Sequence, residues 1–274
     1  MQSQKDIEDK GFYSFRADAN ALGGFIQAPT RIIIPTVAPV SLPPVGGSTV
    51  ARSDGFALDH IVKFKSAYSH VTGQELDGGD ISIQSTAVIE GLNILEVVEA
   101  DRIVALLSIF VSRDERKLTV STAGSRYEGL RLGGHRWEPR HSQGLKKKEC
   151  GPDGRGVAAT LDDVYEIGKT QAGNVSSTFA SRYNKEWAEN RSKWTHSDGA
   201  RQAGCSIIDG FESDDPQQPH GHIVEICGFG RVIIGELFLS AYSAQLVGLR
   251  VELGCPVTGK IGICCGGGGG RGDN

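Results

Sequence analysis

The sequence predicts an all-β protein of antiparallel strands, folded as a sandwich or jelly-roll-like body. Three observations carry that reading. Apolar residues alternate with polar ones at the strand period, as in Phe15, Ala17, Ala19 and Ala21 against Arg16, Asp18 and Asn20. The apolar runs Ile94–Val98 and Arg102–Val111 have strand length and β-branched content. Glycine is abundant, 37 of 274 residues against a usual share of about 7%, and its pairs punctuate the apolar runs. An irregular β-barrel is the alternative closure of the same strands.

The elements follow in order. Residues 1–11 are polar and read as a mobile arm. After the first alternating run come Gly23-Gly24, a short strand at Arg31–Ile34, and Pro29, Pro35, Pro39, Pro43 and Pro44. Proline at that density confines the segment to an extended edge or connector. Phe56–Tyr68 alternates again, Asp77-Gly78-Gly79-Asp80 makes a turn, and Ile81, Ile83, Ser85 and Ala87 share one face. The charged tip Arg113–Lys117 joins Arg102–Val111 to Leu118–Thr122 as a hairpin. Glycine precedes an apolar residue at Gly91-Leu92, Gly129-Leu130 and Gly228-Phe229, where bends or bulges are expected.

Residues 136–215 read as an insertion. Its basic loop carries Lys146, Lys147 and Lys148, and its helix, 176–194, places Phe179, Tyr183 and Trp187 at i, i+4, i+8. Strands resume at Ile223–Ile226, Val232–Leu239 and Leu246–Leu253, and the β-rich domain spans 12–263. Residues 264–274, with Cys264, Cys265 and Gly266–Gly270, are expected to be a flexible tail.

Composition excludes several functions. A chain that is 39% hydrophobic builds a core and is not mainly disordered. No apolar run approaches membrane-spanning length. A net charge of −4 argues against a nucleic-acid binder. No apolar leader is visible at the N-terminus.

Chemical motifs are sparse. Gly254-Cys-Pro-Val-Thr-Gly259-Lys260 fits a phosphate loop until Ile261, which stands where Ser or Thr is required, and no helix can follow. A metal site could be assembled from His220, His222 and Asp214, because histidines at i, i+2 of a strand face one way. His135 and His141, flanking Glu138, form a weaker set. Tyr183, Trp187 and Trp194 could stack on sugars or simply dock the helix. The six cysteines include no C-x-x-C pair. Cys264 and Cys265 are the candidates for cross-links between subunits. No nucleophile elbow or dinucleotide fingerprint occurs, so no enzyme chemistry and no cofactor is expected.

The run Gly91-Leu-Asn-Ile-Leu-Glu-Val-Val-Glu-Ala-Asp-Arg-Ile-Val-Ala105 resembles a signature of the bacterial "choice-of-anchor P" proteins, as do Gly124-Ser125, Leu130 and Gly133-Gly134. The proline-rich Ile33–Pro44 is similar to their N-terminal part. The resemblance covers residues 15–135 and, loosely, 223–263. It implies a secreted or cell-surface β protein with a structural rather than catalytic role. The expected function is self-association into a homo-oligomer or filament through the N-terminal arm and the Cys-Gly tail. A glycan-binding or toxin-like module is the alternative, and a metal-dependent hydrolase the third.

Overall fold

The computed structural model describes residues 13–113, 117–146, 158–173, 202–214, 221–254 and 256–272. It is a two-sheet antiparallel β protein, as the alternation predicts. The chain opens with β1 (Tyr13–Ala28), β2 (Ile32–Val37), β3 (Val40–Ser41) and β4 (Gly47–Ser53). Two short strands, β5 (Phe56–Leu58) and β6 (Val62–Phe64), lead into a meander of β7 (Ser66–Glu75), β8 (Ile81–Ile94) and β9 (Val98–Val111). Then come β10 (Leu118–Ser121), β11 (Arg126–Glu128), β12 (Arg131–Leu132) and β13 (His135–His141). The helices α1 (Gln143–Lys146) and α2 (Leu161–Gly173) precede β14 (Gln202–Ser206) and β15 (Ile208–Ser213). The chain closes with β16 (Ile223–Ile226), β17 (Gly230–Ser240), β18 (Ser243–Leu253) and β19 (Thr258–Gly272).

The first sheet runs β14 and β16 in tandem, then β17, β18, β19, β1, and β2 with β3 at the far edge. The second runs β4 and β5, then β7 and β6, β8, β9, then β10, β11 and β12 in tandem, then β13 and β15. One core cluster fills the space between them. The proline-rich segment lies at the edge of the first sheet, where a missing N–H costs no ladder bond.

Each sheet carries one transverse row at which its central strands change the phase of their inward face. In the first sheet the row is Gly235, Gly248, Cys264 and Ala21, aligned by register across β17, β18, β19 and β1. On β1 the buried positions are Phe15, Ala17, Ala19 and Ala21 before the row, and Leu22 and Ile26 after it. On β18 they shift from Ala244 and Leu246 to Leu249 and Val251. The second sheet repeats the device at Lys65, Gly91, Asp101 and Gly129. Alternate strands supply a left-handed residue: φ is 67° at Gly235, 52° at Cys264, 63° at Gly91 and 61° at Gly129. Because each strand shifts at the same row, the pairing stays in register while the pleat inverts. The Gly-Leu elements at 91 and 129 are therefore bends, as expected; Gly228 also has positive φ, 73°, in the turn before β17.

Two expectations differ, and a third falls outside the described residues. The described part of 136–215 is integrated with the body: β13 and β15 extend the second sheet, β14 pairs with β17, and α2 packs on β14. The expected helix at 176–194 lies outside the described residues; α2, at Leu161–Gly173, is a helix the sequence reading did not expect. The glycine-rich end, expected to be a flexible tail, is a strand at the centre of the first sheet, paired on both sides. Glycine is required there by close packing. A Cβ at Gly266 would collide with the Ser85 hydroxyl on β8, and one at Gly268 would sit 3.1 Å from Ile83 Cγ2.

Candidate functional site

Two places in the sandwich have chemistry left over after the fold is satisfied. The first is an open edge. β4 pairs with β7 along seven residues, Gly47↔Gly73 to Ser53↔Ala67, and no strand pairs its other side among the described residues. Val50 is 56% exposed in the middle of β4 and Val45 74% exposed just before it. An unpaired row of N–H and C=O groups is a template for a strand from another chain.

The second is a cavity of about 260 Å³ at the opposite side of the second sheet. It arises from local sequence. Between Ser121 and Arg126 the partner of β9 leaves the ladder: Ser121 faces Ser108 and Arg126 faces Val104. The loop Thr122–Ser125 bulges there around Gly124, whose φ is 99°. Ser125 fills the gap in the ladder: its Oγ accepts from Leu106 N–H at 3.0 Å and donates to Leu106 C=O at 3.1 Å. Ser121 Oγ accepts from Ala123 N–H at 3.3 Å and sets the turn. Val120, Ile207, Leu237 and Leu145 give the cavity apolar walls; His141 and Ser142, at the end of β13, complete it.

The floor depends on a corner where the chain passes between sheets. Ile207 alone joins β14 of the first sheet to β15 of the second. Its N–H donates to Gly235 C=O at 2.8 Å, and its C=O accepts from Ser142 N–H at 2.8 Å. Gln171 of α2 holds this corner. Its Nε2 shares hydrogen bonds with Ser206 C=O, Ile208 C=O and Asp209 Oδ1, and its Oε1 accepts from Ser206 N–H at 2.7 Å. Ser142 borders the cavity, and its Oγ is buried without a hydrogen-bond partner among the described residues.

A family model for a domain of unknown function (DUF8256) matches residues 12–240, from the start of β1 to the end of β17. The chain belongs to the DUF8256 family. No curated protein and no solved structure matches. In this DUF8256 chain β18 and β19, which occupy the middle of the first sheet, lie beyond the matched residues.

The residues singled out from the sequence fall as follows. Asp214 is exposed and accepts from Arg136 N–H at 2.9 Å, with His135 Nδ1 at 3.5 Å. His222 is buried at 1% exposure, where burial and then Arg250 lower its pKa to about 4, partly countered by Asp209. His220 lies outside the described residues. The proposed trio thus separates into an exposed carboxylate and a buried imidazole, and no group of three potential ligands meets among the described residues. Tyr183, Trp187 and Trp194 also lie outside the described residues.

The cysteine clamp takes a different form from that expected. Cys264 is fully buried, points at Ile103 C=O at 3.7 Å, and burial raises its pKa well above the ordinary thiol value. Cys265 is half-buried in β19; burial, with Glu236 and Asp18 nearby, pushes it up to about 11. Both are free thiols, as are buried Cys205 and exposed Cys227. Neither thiol at 264–265 is on a free tail, so neither is placed to reach a second subunit.

On the outer face of the first sheet an ion lattice is fully occupied. Arg250 makes a two-pronged bond to Glu236, with Nε–Oε2 at 2.6 Å and Nη2–Oε1 at 2.7 Å, and also reaches Glu252. Arg231 bonds Glu252, and Lys260 lies 3.6 Å from it. Burial alone would raise the Glu252 carboxyl, but Arg250, Arg231 and Lys260 outweigh it and hold the group below its ordinary value. These paired charges stabilise the face and leave no group over for chemistry. Among the described residues no helix is long and apolar enough to cross a membrane.

Neither β4 as an edge nor Ser142 as a cavity residue is recognised from the sequence. Gly47–Ser53 has no strong alternation, and Ser142 becomes special only because Ile207, far along the chain, comes to lie beside it.

Proposed function

We propose that the protein is a non-enzymatic structural β-sandwich that associates with copies of itself through the open edge of the second sheet. The observation that supports this is β4: seven residues paired on one side only, with Val50 and Val45 exposed along it. Of the N-terminal arm through Pro44, the expected donor segment, the strands β1, β2 and β3 already pair with one another and with β19 in their own chain. The edge replaces it as the joining element, and antiparallel β4–β4 pairing would give a two-fold dimer. A secreted or cell-surface setting rests on the resemblance to the choice-of-anchor P proteins.

Size-exclusion chromatography with light scattering tests the reading. The expected result is a concentration-dependent dimer or larger species that Val50→Lys shifts to monomer without changing the melting temperature. A native chain that stays monomeric at high concentration rejects it.

A further inference from the structure

The two outer faces of the sandwich differ in charge. On the first sheet the ion lattice around Arg250, Glu236 and Glu252 occupies the face. On the second sheet β7, β8 and β9 pair row by row, from Tyr68↔Val88↔Val104 at one end to Gln74↔Ser82↔Phe110 at the other. Val71, Ile83 and Ile109 of these strands enter the core, so the alternate set, with Tyr68, Gln84 and Phe110, faces out. None of the residues 68–74, 82–88 and 104–110 is Asp, Glu, Lys or Arg, although 23% of the chain is charged. Charge resumes only past the end of this grid, where Arg102 lies 3.5 Å from Glu90. Loss of charge from one broad face is a mark of an interaction surface.

The face keeps its polarity while losing its charge. The row Thr72↔Gln84↔Ser108 crosses it, and Gln84 Nε2 donates to Ser108 Oγ at 3.4 Å. No hydrogen bond among the described residues uses the hydroxyls of Tyr68 or Thr72. Tyr68, Thr72, Gln84, Ser108 and Phe110 are all partly exposed, so these groups can be reached from solvent.

We propose that this face binds a neutral polysaccharide chain. Tyr68 and Phe110 stand at opposite corners of the grid, roughly 20 Å apart by strand rise and spacing, and supply rings on which the apolar faces of sugars pack. The amide and hydroxyls between them donate and accept, as sugar hydroxyls do. Neighbouring side chains in a row are about 4.8 Å apart, close to the length of one sugar unit in an extended chain. Nucleic acids and acidic glycans are disfavoured, because their charge calls for cations that the grid lacks. A protein partner is disfavoured because interface cores are poor in serine and rich in arginine and methionine, whereas this face carries Ser82 and Ser108 and neither of the other two. The proposal makes no use of the β4 edge and goes beyond the reading of self-association.

The full chain is run on native gels containing, in turn, neutral soluble polysaccharides (mixed-linkage glucan, glucomannan, xylan, galactan and dextran) and acidic polygalacturonate. At least one neutral polymer is expected to retard the native chain. Tyr68→Ala and Gln84→Ala should each weaken that retardation about fivefold, with the melting temperature of Gln84→Ala unchanged. No retardation by any neutral polymer overturns the proposal, and so does retardation by polygalacturonate alone. Binding that survives the double variant Tyr68→Ala/Gln84→Ala lies elsewhere and also overturns it. If Gln84→Lys turns an oligomer into monomers in light scattering while Val50→Lys does not, the face is a contact between copies, which rejects both the glycan and the β4 edge.

Discussion

Gly266 and Gly268 show how a composition anomaly becomes a packing requirement. They bring β19 close to Ser85 and Ile83 of the facing sheet, where a methyl group at Gly266 would collide with the Ser85 hydroxyl and one at Gly268 would be tightly packed against Ile83. Gly266→Ala is expected to lower stability in urea denaturation by about 1–3 kcal/mol. Because the obstructing atom is the Ser85 hydroxyl, Ser85→Ala in the same chain should recover part of that loss, and additive effects would contradict the contact. His222 makes a second residue-scale prediction. Its folded pKa of about 4 lies below the ordinary value near 6.5, so the unfolded chain takes up a proton that the folded chain declines. Stability from this group is complete above pH ~6.5 and falls as pH drops toward 4, by about 3 kcal/mol at most. Urea midpoints at pH 7 and 4.5 should differ less in His222→Gln than in the native chain. Both residues stand in the sequence as plain letters. Neither contact has a local signal, because each partner is remote along the chain.

At the scale of the element, α2 is a clamp on the corner between the sheets. Thr160 starts it: its hydroxyl donates to Asp163 Oδ2 at 2.6 Å and accepts from Asp163 N–H at 3.3 Å, and Thr160 N–H donates to the same Oδ2 at 2.8 Å. Gln171, one turn from the end, closes on Ser206 and Ile208. Gln171→Ala leaves Ser206 N–H and its neighbours without those bonds in a buried place. The expected cost is about 2–3 kcal/mol, read from denaturant unfolding, and a loss under 0.5 kcal/mol would refute the clamp. The Thr160-x-x-Asp163 pair is a local capping signal, but no helix over 161–173 was expected from the sequence. The buried face gives no such signal, because it is Val164, Gly168 and Gln171, with only one large apolar residue. Strands were more legible than this helix: β1, β8 and β9 carry their burial in plain alternation. The phase inversions were half visible, as glycines before leucine at 91 and 129, but Cys264 takes the same left-handed role without being glycine.

For the whole molecule, the last strand is the one that joins the sheet. β19 pairs with β1 over Tyr13–Ala28 and with β18 over Ser243–Leu253, and it buries Ile261, Ile263 and Cys264. A chain ending at residue 257 would separate β1 from β18 and expose both ladders. It is expected to lose its cooperative thermal transition, followed by circular dichroism. A truncated chain that melts at the native temperature would show β19 to be dispensable. The same scale decides association. The first sheet pairs the N-terminal strand with the glycine-rich strand, so the proposed association rests on β4, an edge of the second sheet.

The amino-acid pattern by itself determined the all-β class, most strand positions, the edge placement of the proline-rich segment and the bends at Gly91 and Gly129. These are local properties: period, branching, φ and the loss of an N–H act within a few residues. Only the tertiary structure decided that Gly266–Gly270 is a central strand, that β13, α2, β14 and β15 belong to the body, and that Ser142 lies beside the corner at Ile207. Each depends on a partner remote along the chain: Ser85 for Gly266, Leu237 for Cys205, and Ile207 for Ser142. A glycine run carries no side-chain period from which a strand could be read, and its fit appears only when the opposite sheet is in place.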